Sequence, residues 1–130
     1  MSKIATDLEQ SKKLAEILPI ESADMMWTYD FTVNDINGLN IISDKLKPED
    51  NDVPAWSLSA LLSILPLGIY DEFDSTDYEL EINMIDKMPR YIRLGDIYHS
   101  QFPYDFEKDT LLDNIVESII WLNDNNYFES

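Results

Sequence analysis

Alternation of apolar and polar side chains from residue 78 to residue 84, within a strand candidate at 78–85, constrains the fold more than any other feature of this sequence. Because side chains two residues apart share one face of a strand, the segment predicts a strand with one buried face and one wet face. Residues 90–98 form a second strand candidate, and the connection at 86–89 predicts a β-hairpin. The predicted buried residues are Tyr78, Leu80, Ile82 and Met84, and the predicted wet ones are Glu79, Glu81 and Asn83.

Three other segments carry the capping and spacing signals of helices. Thr6 and Glu9 have the spacing of a capping box, so a first helix is predicted to begin at Thr6. Ser57 is the predicted N-cap of a second helix, in which the leucines of residues 58–65 recur at i, i+3, i+4 and i+7. Asp109 is the predicted N-cap of a third helix, which carries a broad apolar face.

Shorter segments complete the predicted fold. Residues 23–31 and 39–42 are strand candidates, the pairs at 34–35 and 37–38 are predicted turns, and residues 45–52 predict an exposed loop. With 130 residues, of which 45% are hydrophobic, the whole chain (1–130) is predicted to form a single domain. We predict an α+β fold in which a small antiparallel sheet of three or four strands packs against three helices.

Composition excludes several classes of site. The absence of cysteine excludes disulfides, thiolate metal sites and a cysteine nucleophile. The N-terminal residues include Asp7 and no apolar run, so we predict no signal peptide and a cytoplasmic location. Residues 53–70 carry no charge, but Pro54, Pro66 and Gly68 interrupt them, so we predict no membrane span.

The net charge of −17 is unevenly distributed along the chain. Between Lys47 and Lys87 lie 39 residues with ten Asp or Glu residues and no Lys or Arg. The acids form two segments, at 49–52 and 71–86, on either side of the uncharged second helix. Such a field repels phosphate backbones and anionic lipids, so we expect no direct binding to nucleic acid or to membranes.

Asp77, Glu79 and Glu81 fall on the predicted wet face of the hairpin, spaced about 6.7 Å per two residues. This carboxylate row has three interpretations. The first is a contact surface for a partner protein. The second is a mimic of a nucleic-acid backbone, which would occupy the basic groove of a DNA-binding protein. The third is the ordinary solvent-exposed face of an antiparallel sheet.

Two tryptophans are aromatic candidates for partner contact. Trp121 lies in the middle of the polar arc of the third helix, where an exposed tryptophan would act as a binding anchor. The alternative is that Tyr127 and Phe128, or the N-terminal helix, cover it. A left-handed Asn126 would return Tyr127 to the helix end, as in a Schellman motif. Trp56 precedes the second helix, and its alternative is a core or staple position.

Signals for chemistry are weak. Asp71, Glu72, Asp74 and Asp77 form the densest acidic cluster, which offers ligands for calcium or magnesium, but the spacing matches no EF-hand loop and a solvated turn is the alternative. His99 is the single histidine, which excludes a multi-histidine metal centre, and no nucleophile motif accompanies it. We therefore expect no cofactor, no metal and no enzymatic activity.

Three groups of residues carry a family resemblance: 10–14 with 22–27, then 54–62, then 111–127. The second group reads Pro-Ala-Trp-Ser-Leu-Ser-Ala-Leu-Leu. Together they resemble an uncharacterised family of small proteins from gut-bacterial genomes, phages and mobile elements. The resemblance implies a provenance, and it implies no activity, cofactor or catalytic residue.

These patterns predict a small non-enzymatic interaction or regulatory protein that acts by contact with a protein partner, for which a basic surface is the complement. The second hypothesis is an acidic DNA mimic that inhibits a nucleic-acid-binding protein, and the third is a carboxylate-dependent metal enzyme. The candidate contact residues are Trp121, Trp56, Asp77, Glu79 and Glu81.

Overall fold

The computed structural model describes residues 4–71, 76–85, 87–93, 96–100, 108 and 110–128. Its helices and strands confirm the α+β class, but the strands form two antiparallel sheets rather than one. The chain divides between Ile64 and Leu65 into two compact units, and the single-domain assignment stays a prediction. The elements are α1 (Leu8–Ala15), β1 (Met25–Asp30), β2 (Asp35–Ile41), β3 (Val53–Ala55), α2 (Leu58–Ile64), β4 (Gly68–Asp71), β5 (Thr76–Asn83), β6 (Met88–Arg93), β7 (Asp96–Ser100) and α3 (Leu111–Asp124).

Helix α1 begins one residue later than the sequence predicts. The predicted box of Thr6 and Glu9 is wrong: Asp7 is the N-cap and accepts a hydrogen bond from the Gln10 N–H, while the Gln10 side chain accepts one from the Asp7 N–H. Thr6 is buried, and its hydroxyl instead accepts a hydrogen bond from the Trp56 N–H at 3.1 Å. A long-range partner for Thr6 thus moves the local cap by one position.

The first sheet has the strand order β2-β1-β3. Asn34, at φ 55°, lies in the turn that joins β1 to β2, as predicted. The second predicted turn, at Asn37 and Gly38, is wrong, because these residues lie inside β2 as a bulge opposite Thr28. Gly38 has φ 98°, a conformation that other residues rarely adopt. Strand β2 therefore extends further than the predicted segment at 39–42.

Strand β3 closes one side of this sheet. The Ile42 N–H donates to the Asp24 carbonyl. Because hydrogen-bonded pairs alternate along an antiparallel ladder, the backbone N–H and C=O groups of Asp24 and Met26 point toward β2. Pro54 pairs with Met26 on the other side, so the proline nitrogen lies on the outer edge of β3. Proline at that position removes an unpaired N–H group and protects the edge from pairing with another chain.

Helix α2 confirms Ser57 as its N-cap, since the Ala60 N–H donates to the Ser57 hydroxyl at 3.2 Å. The Ser57 hydroxyl also donates to the carboxylate of Asp24. Leu61 is buried as predicted, whereas Leu62 is exposed. The apolar stripe of this seven-residue helix is therefore narrower than its leucine spacing predicts.

The second sheet has the strand order β4-β5-β6-β7, and the predicted hairpin is confirmed as β5 and β6. Asn83 pairs with Met88 at the end of the hairpin, and Lys87 has φ 58° in the connection. The predicted single strand at 90–98 is wrong, because β6 ends at Arg93 and β7 begins at Asp96. Strand β4 was not predicted from the sequence, in which Gly68 is interpreted as part of the end of the second helix.

Helix α3 is capped by Thr110, whose hydroxyl accepts a hydrogen bond from the Asp113 N–H at 3.1 Å, and not by the predicted Asp109, which lies outside the described residues. The predicted polar arc is partly buried: the Asn114 side chain donates to the Lys87 carbonyl at 2.6 Å. Asn114 thereby ties α3 to the hairpin connection. The buried apolar residues of α3 are Leu112, Ile115, Val116, Ile119 and Leu122.

No helix within the described ranges is long and apolar enough to cross a lipid bilayer.

Candidate protein-contact surface

The carboxylate row of Asp77, Glu79 and Glu81 lies on one side of β5, and all three residues are exposed. Tyr78, between the first two, is buried, as the alternation predicts. Residues two apart on a strand are about 6.7 Å apart along the chain. The row therefore places three carboxylates along roughly 13 Å of one strand.

The strands beside β5 decide what surrounds this row. Glu81 pairs directly with Arg90 on β6, and Glu79 pairs with Ile92. On the other side, Glu79 pairs with Gly68 of β4 and Asp77 pairs with Tyr70. Directly opposed residues in an antiparallel sheet have Cβ atoms about 5 Å apart, so a cation, an aliphatic side chain and an aromatic ring adjoin the carboxylates.

Apolar side chains are exposed next to the row. Tyr70, in β4, is 53% exposed, and Leu67, the residue before β4, is 83% exposed. With Asp77 and Glu79 they line a shallow depression of about 740 Å³. This depression combines aromatic, aliphatic and acidic groups.

On the opposite side of β5 and β6, Tyr78 is buried, whereas Met84, which the alternation predicts to be buried, is exposed. Tyr91 is fully buried and its hydroxyl donates to the Pro66 carbonyl at 2.6 Å. Burial raises the pKa of Tyr91 above its ordinary value, because the charged phenolate would lose its hydration. The two faces of β5 and β6 thus differ sharply in polarity.

Trp121 is half-buried, and its ring stacks on that of Tyr127 with 5.6 Å between the ring centroids. The predicted Schellman motif is confirmed: Asn126 has φ 65°, and the Tyr127 N–H donates to the Leu122 carbonyl at 2.9 Å. The Asn126 N–H completes the motif with the Asn123 carbonyl at 3.1 Å. This is the arrangement in which the C-terminal residues cover the tryptophan.

Trp56 occupies the core position that the sequence also allowed. Its side chain is fully buried, and its indole N–H donates to the Ser22 hydroxyl at 2.9 Å. The backbone N–H of Trp56 donates to the Thr6 hydroxyl, and its carbonyl accepts a hydrogen bond from the Thr6 N–H at 2.9 Å. Trp56 therefore joins segments from three parts of the first unit, and in this structure it offers no accessible surface to a partner.

The metal hypothesis falls largely outside the described residues. Glu72 and Asp74 lie there entirely, as does the side chain of Asp71. Across the ranges that the structure describes, no group of three His, Cys, Asp or Glu side chains is placed to hold a metal ion. His99 lies in β7, and its side chain is also outside the description.

A second depression, of about 670 Å³, lies in the first unit and was not predicted from the sequence. The rings of Tyr29 and Phe31 meet there edge to face, with 4.9 Å between the ring centroids. Asp52, in the loop beside them, accepts hydrogen bonds from the N–H groups of Tyr29 and Glu49, each at 2.8 Å. The signal in the sequence is the spacing of Tyr29, in β1, and Phe31, just after it, because residues two apart share one side of an extended chain.

Comparison of the chain with protein-family models, with curated proteins and with solved structures gives no match. The resemblance of residues 54–62 to a family of small proteins therefore stays a prediction.

Proposed function

We propose that this chain is a small non-enzymatic interaction protein that contacts a basic surface of a protein partner through its second sheet. The observation that carries this proposal is the exposed carboxylate row of Asp77, Glu79 and Glu81 beside the exposed side chain of Tyr70. Protein interfaces join apolar and aromatic groups to polar ones, and complementary charge selects the partner. We propose that the contact takes place in the cytoplasm.

The surroundings of the row favour protein contact over DNA mimicry. A nucleic-acid duplex presents two lines of phosphates, with one negative charge per about 1.7 Å of helix axis. Here Arg90 stands opposite Glu81, while Ile92 and Gly68 flank Glu79, so the described part of the face carries a single short line of carboxylates. A mixed surface of this kind is better suited to a basic and partly apolar protein patch.

A capture experiment with charge-reversed variants tests the proposal. The double substitution Glu79→Lys with Glu81→Lys changes the row, and Glu49→Lys with Asp50→Lys makes the same change of net charge at exposed positions of the first unit. From a lysate of the source organism, wild type and the Glu49/Asp50 control are expected to capture the same protein, and the Glu79/Glu81 variant to lose it.

The identity of the captured protein separates the two hypotheses. Equal capture by all three proteins would contradict the proposal, because the contact would then not depend on the carboxylate row. A captured DNA-binding protein that DNA displaces competitively would favour mimicry instead.

A further inference from the structure

Strand β4 is the terminal strand of the second sheet, and its hydrogen-bonding pattern can be read from one bond. The Leu80 N–H donates to the Leu67 carbonyl at 2.9 Å, which makes Leu67 and Leu80 a hydrogen-bonded pair. In an antiparallel ladder such pairs alternate with non-bonded ones, so Gly68 and Tyr70 belong to the second kind. The backbone N–H and C=O groups of Gly68 and Tyr70 therefore point away from β5, toward the outer edge.

This edge lacks the proline that protects β3 in the first sheet. Pro54 removes the outward N–H group of β3, whereas β4 contains no proline, no lysine and no bulge. Among the strands that the structure describes, none pairs with the outer side of β4. An edge of this kind is a template for one more strand.

Gly68 opens a path from the edge to the carboxylates. It is the neighbour of Glu79 on β5 and has no side chain, so nothing at that position covers the carboxylate from the edge side. A Cβ at Gly68 would lie 3.2 Å from the Tyr78 carbonyl oxygen, which is tighter than an ordinary contact. A strand added outside β4 would lie about 9.6 Å from β5, or two interstrand spacings, which a long lysine or arginine side chain can cross to reach Glu79.

We propose that the partner binds β4 as an added antiparallel strand whose alternate residues are Lys or Arg. The backbone of that segment bonds to Gly68 and Tyr70, and its basic side chains lie on the face of Tyr70, Asp77 and Glu79. The Tyr70 ring, which is exposed beside Asp77, gives a cation a second attractive group through its π face. This inference rests on the proposed function and specifies the partner's chemistry.

Charge selects this occupant over a second copy of the chain. Pairing of two β4 edges would bring together two carboxylate rows in molecules that each carry a net charge of −17. Like charges placed opposite each other oppose association, whereas a basic segment is attracted.

Binding of a defined peptide tests the inference. The probe is a fluorescent peptide of alternating lysine and valine, and the matched control peptide is N-methylated at its lysine amides, which keeps the charge and removes the donors that would face β4. The full chain is expected to bind the probe and to bind the N-methylated control at least about tenfold more weakly, as measured by fluorescence anisotropy.

Variants at Tyr70 separate the ring from the backbone. Tyr70→Ala removes the ring and keeps the N–H, whereas Tyr70→Pro also removes the outward N–H without breaking a bond to β5. We expect Tyr70→Pro to bind the probe about tenfold more weakly than Tyr70→Ala. If Tyr70→Pro fails to fold by circular dichroism, the comparison of the two peptides still decides the question.

The outcomes distinguish failure of this inference from failure of the proposed function. If Glu79→Lys with Glu81→Lys abolishes probe binding while N-methylation has no effect, strand addition is overturned and the carboxylate contact stands. Absence of probe binding overturns the inference, and the capture experiment then decides the proposed function independently. A dimer that forms through β4, detected by sedimentation and lost in Tyr70→Pro, overturns it in favour of a second copy.

Discussion

The two sheets use their acidic residues in opposite ways. In the first unit, the carboxylates of Asp24 and Asp52 accept hydrogen bonds from backbone N–H groups and hold loops to β1 or α2. In the second unit, Asp77, Glu79 and Glu81 project from the wet face of β5. Both groups of acids add to the same net charge, but the first stabilises the fold and the second is available at the surface.

Asp30 extends the same pattern within the first unit. Its carboxylate accepts hydrogen bonds from the Thr32 hydroxyl at 2.6 Å and from the Thr32 N–H at 2.9 Å. These bonds, the hydroxyl first, hold the pKa of Asp30 below its ordinary value because they favour the charged form. Net charge alone therefore says little about function until each carboxylate is assigned a partner.

The largest expected effect comes from Trp56. Trp56→Ala should lower the free energy of unfolding by about 3–5 kcal/mol, because it removes a fully buried indole from the first unit. Urea denaturation measures the change. Trp56→Phe is the control, since it keeps an aromatic ring and loses the bond to Ser22, and it should cost less. A change below about 1 kcal/mol for the alanine variant would contradict the core placement.

The structural role of Asp52 gives the next effect. Asp52→Ala should cost about 1.5–3 kcal/mol, because two backbone N–H groups lose a charged acceptor. Asp50→Ala, two residues away and exposed, makes the same change of charge and should be nearly neutral. Thermal or urea unfolding of both variants checks the difference, and equal costs would break the contrast between structural and surface acids.

The aromatic stack on α3 should contribute less. Trp121→Ala and Tyr127→Ala are expected to show a coupling energy of about 0.5–1.5 kcal/mol in a double-mutant cycle, the value for stacked aromatic rings. If Trp121 only stabilises the C-terminal end of α3, the Trp121→Ala variant should still capture the partner. Loss of capture with unchanged stability would instead assign Trp121 to the contact surface.

The smallest stability effect belongs to the carboxylate row. Glu79→Lys should change the free energy of unfolding by less than about 0.5 kcal/mol, because the side chain is exposed and lies opposite Ile92 rather than a charge. Glu81→Lys should cost up to about 1 kcal/mol, because it places a second cation opposite Arg90. Urea unfolding midpoints check this alongside the capture experiment. A large loss of stability at Glu79 would show that the row stabilises the sheet. The contrast between structural acids in the first unit and surface acids in the second would then be wrong.

Local patterns in the sequence were sufficient for several elements. The alternation around Tyr78 predicted the hairpin, Ser57 predicted the cap of α2, and Asn126 predicted the left-handed end of α3. Each of these depends on residues within a few positions of one another. Periodicity and capping are local interactions, so the sequence carries them directly.

Interactions between distant residues decided the rest. The cap of α1 moved to Asp7 because Thr6 bonds to Trp56, which is 50 positions away in the chain. Strands as short as β3 and β4, of three and four residues, have too little periodicity to be recognised alone and form because longer strands pair with them.

The sequence alone determined the amount and the order of the negative charge, and the tertiary structure decided its surroundings. In sequence, Glu79 and Glu81 lie within a window that contains no basic residue. In the folded sheet, Arg90 pairs with Glu81, while Gly68 leaves Glu79 open toward the edge. Strand register decides which residues lie side by side, and the electrostatic field of a surface depends on distance in space.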